Sequence, residues 1–156
     1  MSTSERRFGL DTPTGPIVVT LEGEAVAGIA WGEALPAAPD DTLAAEVARQ
    51  IDAYFERRLT EFDLPLKPAS GNFAQAMRQA MIDIPLGRTR TYGEIARDLG
   101  VTAQAVGQGC GANSIPIIVP CHRVLAQCGL GGFSGGRGIE TKVALLRLES
   151  AASLLI

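Results

Sequence analysis

Thr91-Tyr92-Gly93-Glu94-Ile95-Ala96-Arg97-Asp98-Leu99-Gly100-Val101-Thr102-Ala103-Gln104-Ala105-Val106-Gly107-Gln108-Gly109 is the stretch on which the fold turns. A threonine hydroxyl can accept from the free N–H groups of a first helical turn, and a glycine can end a helix in a left-handed conformation. The spacing therefore predicts a short helix from Tyr92 to Leu99, capped by Thr91 and stopped by Gly100. A second starts at Thr102 and runs through about Gly109. Two short helices joined by a glycine-containing turn outline a helix-turn-helix, with Gln104 near the start of the second helix, the end that meets DNA in such motifs. Helical pairs in enzyme cores share this outline, so the flanking sequence has to decide.

Toward the N-terminus, Ser70 is placed to cap a helix carrying Phe73, Met77, Ala80 and Met81 at helical spacing, with Pro85 and Gly87 as stops. Pro65 and Pro68 make residues 59–69 an irregular connector. Asp41 or Thr42 can cap an earlier helix through about Arg57, with Leu43, Val47, Ile51, Tyr54 and Phe55 on one face. Earlier still, Ile17–Leu21 and Ala25–Trp31 are β-branched and alternate around Gly23, which reads as a hairpin. Toward the C-terminus, Ile115–Pro120 is apolar, and its prolines block regular strand pairing; it reads as a buried extended segment that delivers Cys121 to a fixed place. A glycine-rich loop around Phe133 and Ser134 follows, then a last helix from Ile139 to Leu148 with Glu149 near its end. The expected fold is α+β: a small N-terminal α/β domain (residues 1–69, hairpin plus helix), then a helical, winged-helix-like domain (residues 70–156) with the helix-turn-helix.

The chain has 156 residues, 46 % hydrophobic and 20 % charged, ordinary for a globular protein. No apolar run approaches the ~20 residues of a membrane span, and the polar N-terminus lacks a signal peptide's apolar stretch, so a cytoplasmic protein is expected. The net charge of −3 is unevenly spread. Residues 1–71 carry six Arg/Lys against twelve Asp/Glu, while residues 72–142 carry seven against four. A polyanion would therefore meet the second half. The three cysteines, Cys110, Cys121 and Cys128, are odd in number and form no disulfide framework; with the single histidine they make a poor zinc set, because Cys121 and His122 are adjacent. No metal is expected. Cys110 and Cys128 read as structural or incidental.

Chemistry concentrates at Val119-Pro120-Cys121-His122-Arg123. A thiol becomes a nucleophile when a base favours its thiolate, and His122 is the chain's only imidazole. In an extended segment adjacent side chains point to opposite faces, so a bridging water is the natural relay between the two. The base needs a partner to fix its tautomer, and Glu149 could fold back to supply it. Singly, Cys121 reads as a buried apolar thiol and His122 as a core histidine. Together, between prolines and a glycine-rich loop, they point to a reactive cysteine.

Ile117-Ile118-Val119-Pro120-Cys121-His122-Arg123-Val124 resembles the active-site signature of the 6-O-alkylguanine-DNA alkyltransferases, also called methylated-DNA–protein cysteine methyltransferases. The likeness extends over roughly residues 70 to 150 and takes in Thr91–Ala96, Ala105-Val106-Gly107, Asn113, Phe133-Ser134-Gly135-Gly136 and Leu145–Glu149. It implies that a damaged nucleotide is flipped out of the duplex and that Cys121 takes the alkyl group irreversibly, once per molecule. By the same resemblance His122 takes the thiol proton through water, Glu149 orients His122 and Asn113 braces the relay. Tyr92 donates to the base and crowds the phosphate, and backbone amides around Ser134 meet the departing oxygen. Gln104, Arg123, Ser134, Thr91, Gly93 and Gly135 are the residues expected at the DNA or base, although Arg123 is equally suited to bond backbone carbonyls structurally. The resemblance implies no cofactor, since the protein is itself the reagent. It also implies alkylated double-stranded DNA as partner, no membrane, a monomer, and association with the nucleoid when DNA is bound.

The chain departs from the family's pattern at several places. Gln104 stands where an arginine usually fills the gap left by the extruded base; it can hydrogen-bond the orphaned base but brings no charge to the phosphates. The turn Gly100–Ala103 is about two residues short, Ser114 replaces a common proline, and Phe133 a frequent tyrosine. The alternative reading is a protein that binds the alkyl lesion and recruits other repair factors, but such relatives lack the acceptor cysteine. An ordinary helix-turn-helix regulator has no use for Pro-Cys-His-Arg, and a papain-like hydrolase draws its cysteine and histidine from distant segments.

Overall fold

The alternating, β-branched run Ile17–Glu22 forms β2, turns through Gly23 and returns as β3 (Ala25–Trp31), as its pattern predicts. The computed structural model describes residues 5–151. It adds a strand that the sequence reading did not expect: β1 (Glu5–Leu10) pairs antiparallel with β2, giving the sheet order β1-β2-β3. Its polar start hid it. Only Phe8 and Gly9 of its six residues are buried, too few for the period of two to show. The sheet buries Phe8, Ile17, Val19, Leu21 and Val26.

Helix α1 (Thr42–Phe55) begins where Asp41 accepts from the Ala44 N–H, and it buries Val47, Ile51 and Tyr54 on one face. Asp41 also receives the Arg6 guanidinium at 2.6 Å, which ties β1 to the helix start. The helix stops short of the expected Arg57, which takes a left-handed φ of 62°. Gln50 is buried in α1 and holds the following segment, donating to the Asp63 carbonyl and accepting from the Asp63 N–H, both at 2.9 Å. Residues 65–67 then lie parallel to β3, with Val26 bonded to Pro65 and Lys67. Chain contacts group residues into two units, Met1–Lys67 and Pro68–Ile156.

In the second unit α2 spans Asn72–Ile82. The expected Ser70 cap does not form: Gly71 occupies the N-cap with φ 93°, and no side chain caps the helix. Met77 and Met81 are buried as expected, but Phe73 is 40 % exposed. Its ring lies over α4, where a Cβ on Gly109 would stand 2.8 Å from Met77 Cγ and 3.3 Å from the Phe73 ring. Glycine at 109 thus lets the two helices close. Strand β4 (Arg90–Thr91) leads into α3 (Tyr92–Leu99), where Thr91 and Glu94 form a reciprocal capping box. Gly100 turns the chain in the left-handed region, and Thr102 caps α4 (Ala103–Gly111) by accepting from Ala105. The helix-turn-helix is therefore present with the caps its sequence predicts. A 3-10 turn (Cys121–Arg123), strand β5 (Val124–Leu125), which runs parallel to β4, and α5 (Ile139–Leu148) complete the unit. The architecture is α+β.

Asp41 performs two tasks that separate by mutation. Asp41→Ala removes the cap and the Arg6 pair and is expected to cost about 1–2 kcal/mol in denaturant unfolding. Asp41→Asn keeps a capping oxygen and loses a partly exposed ion pair, and should cost under about 1 kcal/mol. Equal losses in the two variants would contradict this division.

Candidate active site

Residues 115–120 are buried, as their apolar character requires, but they are not extended. The Val119 N–H reaches back to Ile115 O at 2.9 Å, and Cys121 N–H to Val119 O at 2.8 Å. Ile117 has φ 74°, a region that β-branched residues rarely enter, so the segment is locally strained. Asn113 offsets part of this. Its side chain donates to Val119 O at 2.9 Å and accepts from Ile115 N–H at 3.1 Å, clasping the coil from inside.

Cys121 opens the 3-10 turn rather than ending an extended strand, and is 8 % exposed. His122 is fully buried and directs Nε2 to Glu149 Oε2 at 2.6 Å, which leaves Nδ1 with no hydrogen-bond partner among the described residues. Burial pushes the Cys121 thiol up, and the Asn113 side chain and the Lys142 charge work against that. His122 is pushed down by burial, with Glu149 opposing. Glu149, at the C-cap of α5, would rise on burial alone, but bonds and charges from His122 and Arg123 hold it at about 2.

Of the two readings of Arg123, contact with DNA and structural bonding to backbone carbonyls, the structure shows the second: the side chain lies inside. Its Nε donates to Glu149 Oε1 at 2.8 Å, one terminal nitrogen to Oε2 at 3.2 Å and the other to the Ile84 carbonyl at 2.6 Å. Three of its five N–H donors go to internal acceptors and the side chain is buried, which sets it away from a phosphate backbone. Thr91 and Glu94 are similarly committed: the Thr91 hydroxyl accepts from Glu94 N–H, and the Thr91 N–H goes to Glu94. Gln104 and Ser134 are exposed, while Gly93 and Gly135 are half-buried.

Tyr92 starts α3 half-buried, and its ring lies against the glycine-rich loop. A Cβ on Gly131, whose φ is 74°, would sit 2.7 Å from the Tyr92 hydroxyl. Burial, joined by the charges of Cys110 and Cys121, raises the Tyr92 phenol. The sequence reading missed Lys142. It is wholly buried on α5 and donates to Val124 O at 2.7 Å and Gly132 O at 3.2 Å, with Nζ 5.9 Å from the Tyr92 ring centroid. Burial lowers its ammonium to about 8, against the charges of Cys110 and Cys121. The available signal was spacing: Lys142 shares a helix face with Leu145, Leu146 and Glu149. Cys110, read as incidental, belongs to the same cluster; burial and the Cys121 charge push its thiol to about 12.

Residues 72–151 match the DNA-binding domain of 6-O-methylguanine DNA methyltransferase, and residues 9–68 match the ribonuclease-like domain of the same protein. The chain belongs to the 6-O-methylguanine DNA methyltransferase family. The methylated-DNA–protein-cysteine methyltransferase of Mycobacterium leprae is 39 % identical over 149 residues, 90 % of this chain and 89 % of the relative. The crystal structure of the Mycobacterium tuberculosis O6-methylguanine methyltransferase superposes with TM-score 0.80 at 36 % identity, covering 97 % of this chain and 98 % of that one. The structure of Mycobacterium tuberculosis OGT in complex with DNA gives TM-score 0.81 at 37 % identity, covering 94 % and 95 %. In this methyltransferase family member no group of three His, Cys, Asp or Glu side chains suited to a metal occurs among the described residues. Nor, among them, is any helix long and apolar enough to cross a membrane.

The depressed Glu149 carboxyl fixes a sign. Its stabilising contribution is complete above the ordinary value of 4.5 and is lost as pH falls toward about 2. Glu149→Gln leaves a buried guanidinium unpaired and should cost about 3–5 kcal/mol at neutral pH. Denaturant unfolding of both proteins across pH should show that gap narrowing only in the acid window. A gap that stays constant down to pH about 2 would contradict the charge assignment.

Proposed function

We propose that this protein repairs 6-O-alkylguanine in double-stranded DNA by moving the alkyl group irreversibly to Cys121, one group per molecule. The observation that carries the reading is the buried His122–Glu149 pair at 2.6 Å, next in sequence to Cys121, with His122 Nδ1 unpartnered among the described residues. His122 Nδ1 takes the thiol proton through a bridging water. The Cys121 sulfur then attacks the alkyl carbon, a C–S bond forms, and the C–O bond to the base breaks with its electron pair passing to guanine. The Tyr92 hydroxyl donates to the leaving base, and backbone amides near Ser134 receive its oxygen. The product thioether has no route back to a thiol, so the reaction ends with one turnover.

The basic second half supplies the DNA face, with α4 as the groove helix and Gln104 at its exposed start. Gln104 fills the place of the everted nucleotide by hydrogen bonding alone. The protein works as a monomer in the cytoplasm, at the nucleoid.

Incubation with a duplex bearing 6-O-methylguanine, followed by intact mass and peptide mapping, should give one methyl group on Cys121 and no further turnover. Cys121→Ala should abolish transfer and retain lesion binding. Gln104→Arg should raise the single-turnover rate by about tenfold or less, the scale of one added phosphate or base contact. Unmodified wild-type protein that still binds the lesion would favour the recruitment reading.

A further inference from the structure

We propose that Arg123 is a positioning residue for the alkyl transfer, acting through Glu149 to keep His122 neutral, protonated on Nε2 and able to accept a proton on Nδ1. The inference rests on the functional reading above but is argued from the charges in the cluster. Arg123 donates to both Glu149 oxygens, at 2.8 and 3.2 Å, and to Ile84 O at 2.6 Å, so its plane is fixed from two sides. A carboxylate gripped in this way is ionised and acts only as an acceptor. The 2.6 Å contact with His122 therefore has Nε2–H as donor, which leaves the lone pair on Nδ1.

The same guanidinium discourages a second proton on the ring. A His–Glu pair alone favours imidazolium, because the carboxylate stabilises the cation. Here the Glu149 charge is already matched by Arg123. The charged groups acting on His122 are Lys142 of α5, Glu149 at its C-cap and the turn neighbour Arg123. While Cys121 is a thiol, protonating His122 would add a third buried cation to the fields of Arg123 and Lys142, with Glu149 as its one bonded carboxylate. Arg123 thus weakens the hold of Glu149 on a charged His122 while leaving the carboxylate in place to orient the ring. A base that is already protonated cannot accept the Cys121 proton.

His122 is the chain's only histidine, so ring-nitrogen NMR reads it without assignment. Wild type at neutral pH should show the neutral Nε2–H tautomer; imidazolium or an Nδ1–H ring there would overturn the proposal, whatever the variants do. In Arg123→Met the ring should titrate about one unit or more higher. Methyl transfer near neutral pH should then fall at least about tenfold and recover toward wild type as pH is raised. Arg123→Lys, which restores the charge without the fork, should restore most of the neutral-pH rate. A folded Arg123→Met protein with an unmoved ring titration and an unmoved acid limb of the rate profile would reduce Arg123 to a strut. Absence of transfer in wild type would instead sink the repair reading, while the ring tautomer would still judge this one.

Discussion

The Glu149 carboxylate is the constraint on which the second unit hangs. It sits at the end of α5, and the groups that satisfy it come from the 3-10 turn that begins with Cys121. Arg123 carries the link on to Ile84, in the segment after α2. One anion thereby joins three parts of the chain that are distant in sequence. A buried ion pair gains little against an apolar replacement, but losing one partner is severe, so such a cluster specifies geometry more than it adds stability. Geometry is what an acceptor thiol needs. The coil from Ile115 to Pro120 is strained at Ile117, clasped by Asn113 and pinned beyond Cys121 by the Glu149 contacts, so its reactive residue is held from both sides.

Much of this was legible from local chemistry. Thr91, Gly100 and Thr102 announced the two helices and their turn because caps act within one helical turn. The Cys121–His122–Glu149 grouping was legible because a lone imidazole beside a cysteine needs an orienting carboxylate. What failed was long-range or compensated. Strand β1 shows only Phe8 and Gly9 inward, and its Arg6 is satisfied by Asp41, 35 residues away. Ser70 had capping chemistry, but the helix starts one residue too late for it to reach. Pro116 and Pro120 were read correctly as blocking a strand, yet the coil that results depends on Asn113 contacts that no periodicity reveals.

The DNA reading of Arg123 failed, and Lys142 was missed, for a shared reason. Cations are ordinarily solvated, and sequence alone assigns them to a surface, or to DNA when a basic half suggests it. Both lie inside because each finds enough acceptors: Arg123 two carboxylate oxygens and a carbonyl, Lys142 two carbonyls and the face of Tyr92. Lys142 joins α5, β5 and the glycine-rich loop, and that loop packs on Tyr92 through the missing side chain of Gly131. The side chains around the thiol are therefore set by a cation that looks, in sequence, like any helix lysine.

These buried charges suggest why ionisation of Cys121 is possible at all in a site that pushes the thiol up. With the thiol protonated, the buried charges among the described residues are Arg123, Lys142 and Glu149, an excess of one positive charge. In the proposed reaction, moving the Cys121 proton onto His122 creates one anion and one cation, leaving the total unchanged. The new anion appears within the field of Lys142, whose charge opposes the rise in the Cys121 thiol. The new imidazolium is held by Glu149 at 2.6 Å. Each product of the proton transfer thus meets an opposite charge already in place, so the cost of creating ions in a dry site is offset by groups fixed before the reaction starts. Once the sulfur is alkylated that balance is gone. The anion has become a neutral thioether, the imidazolium is left among cations, and His122 must release its proton, which leaves no basic sulfur in the cluster to receive it again.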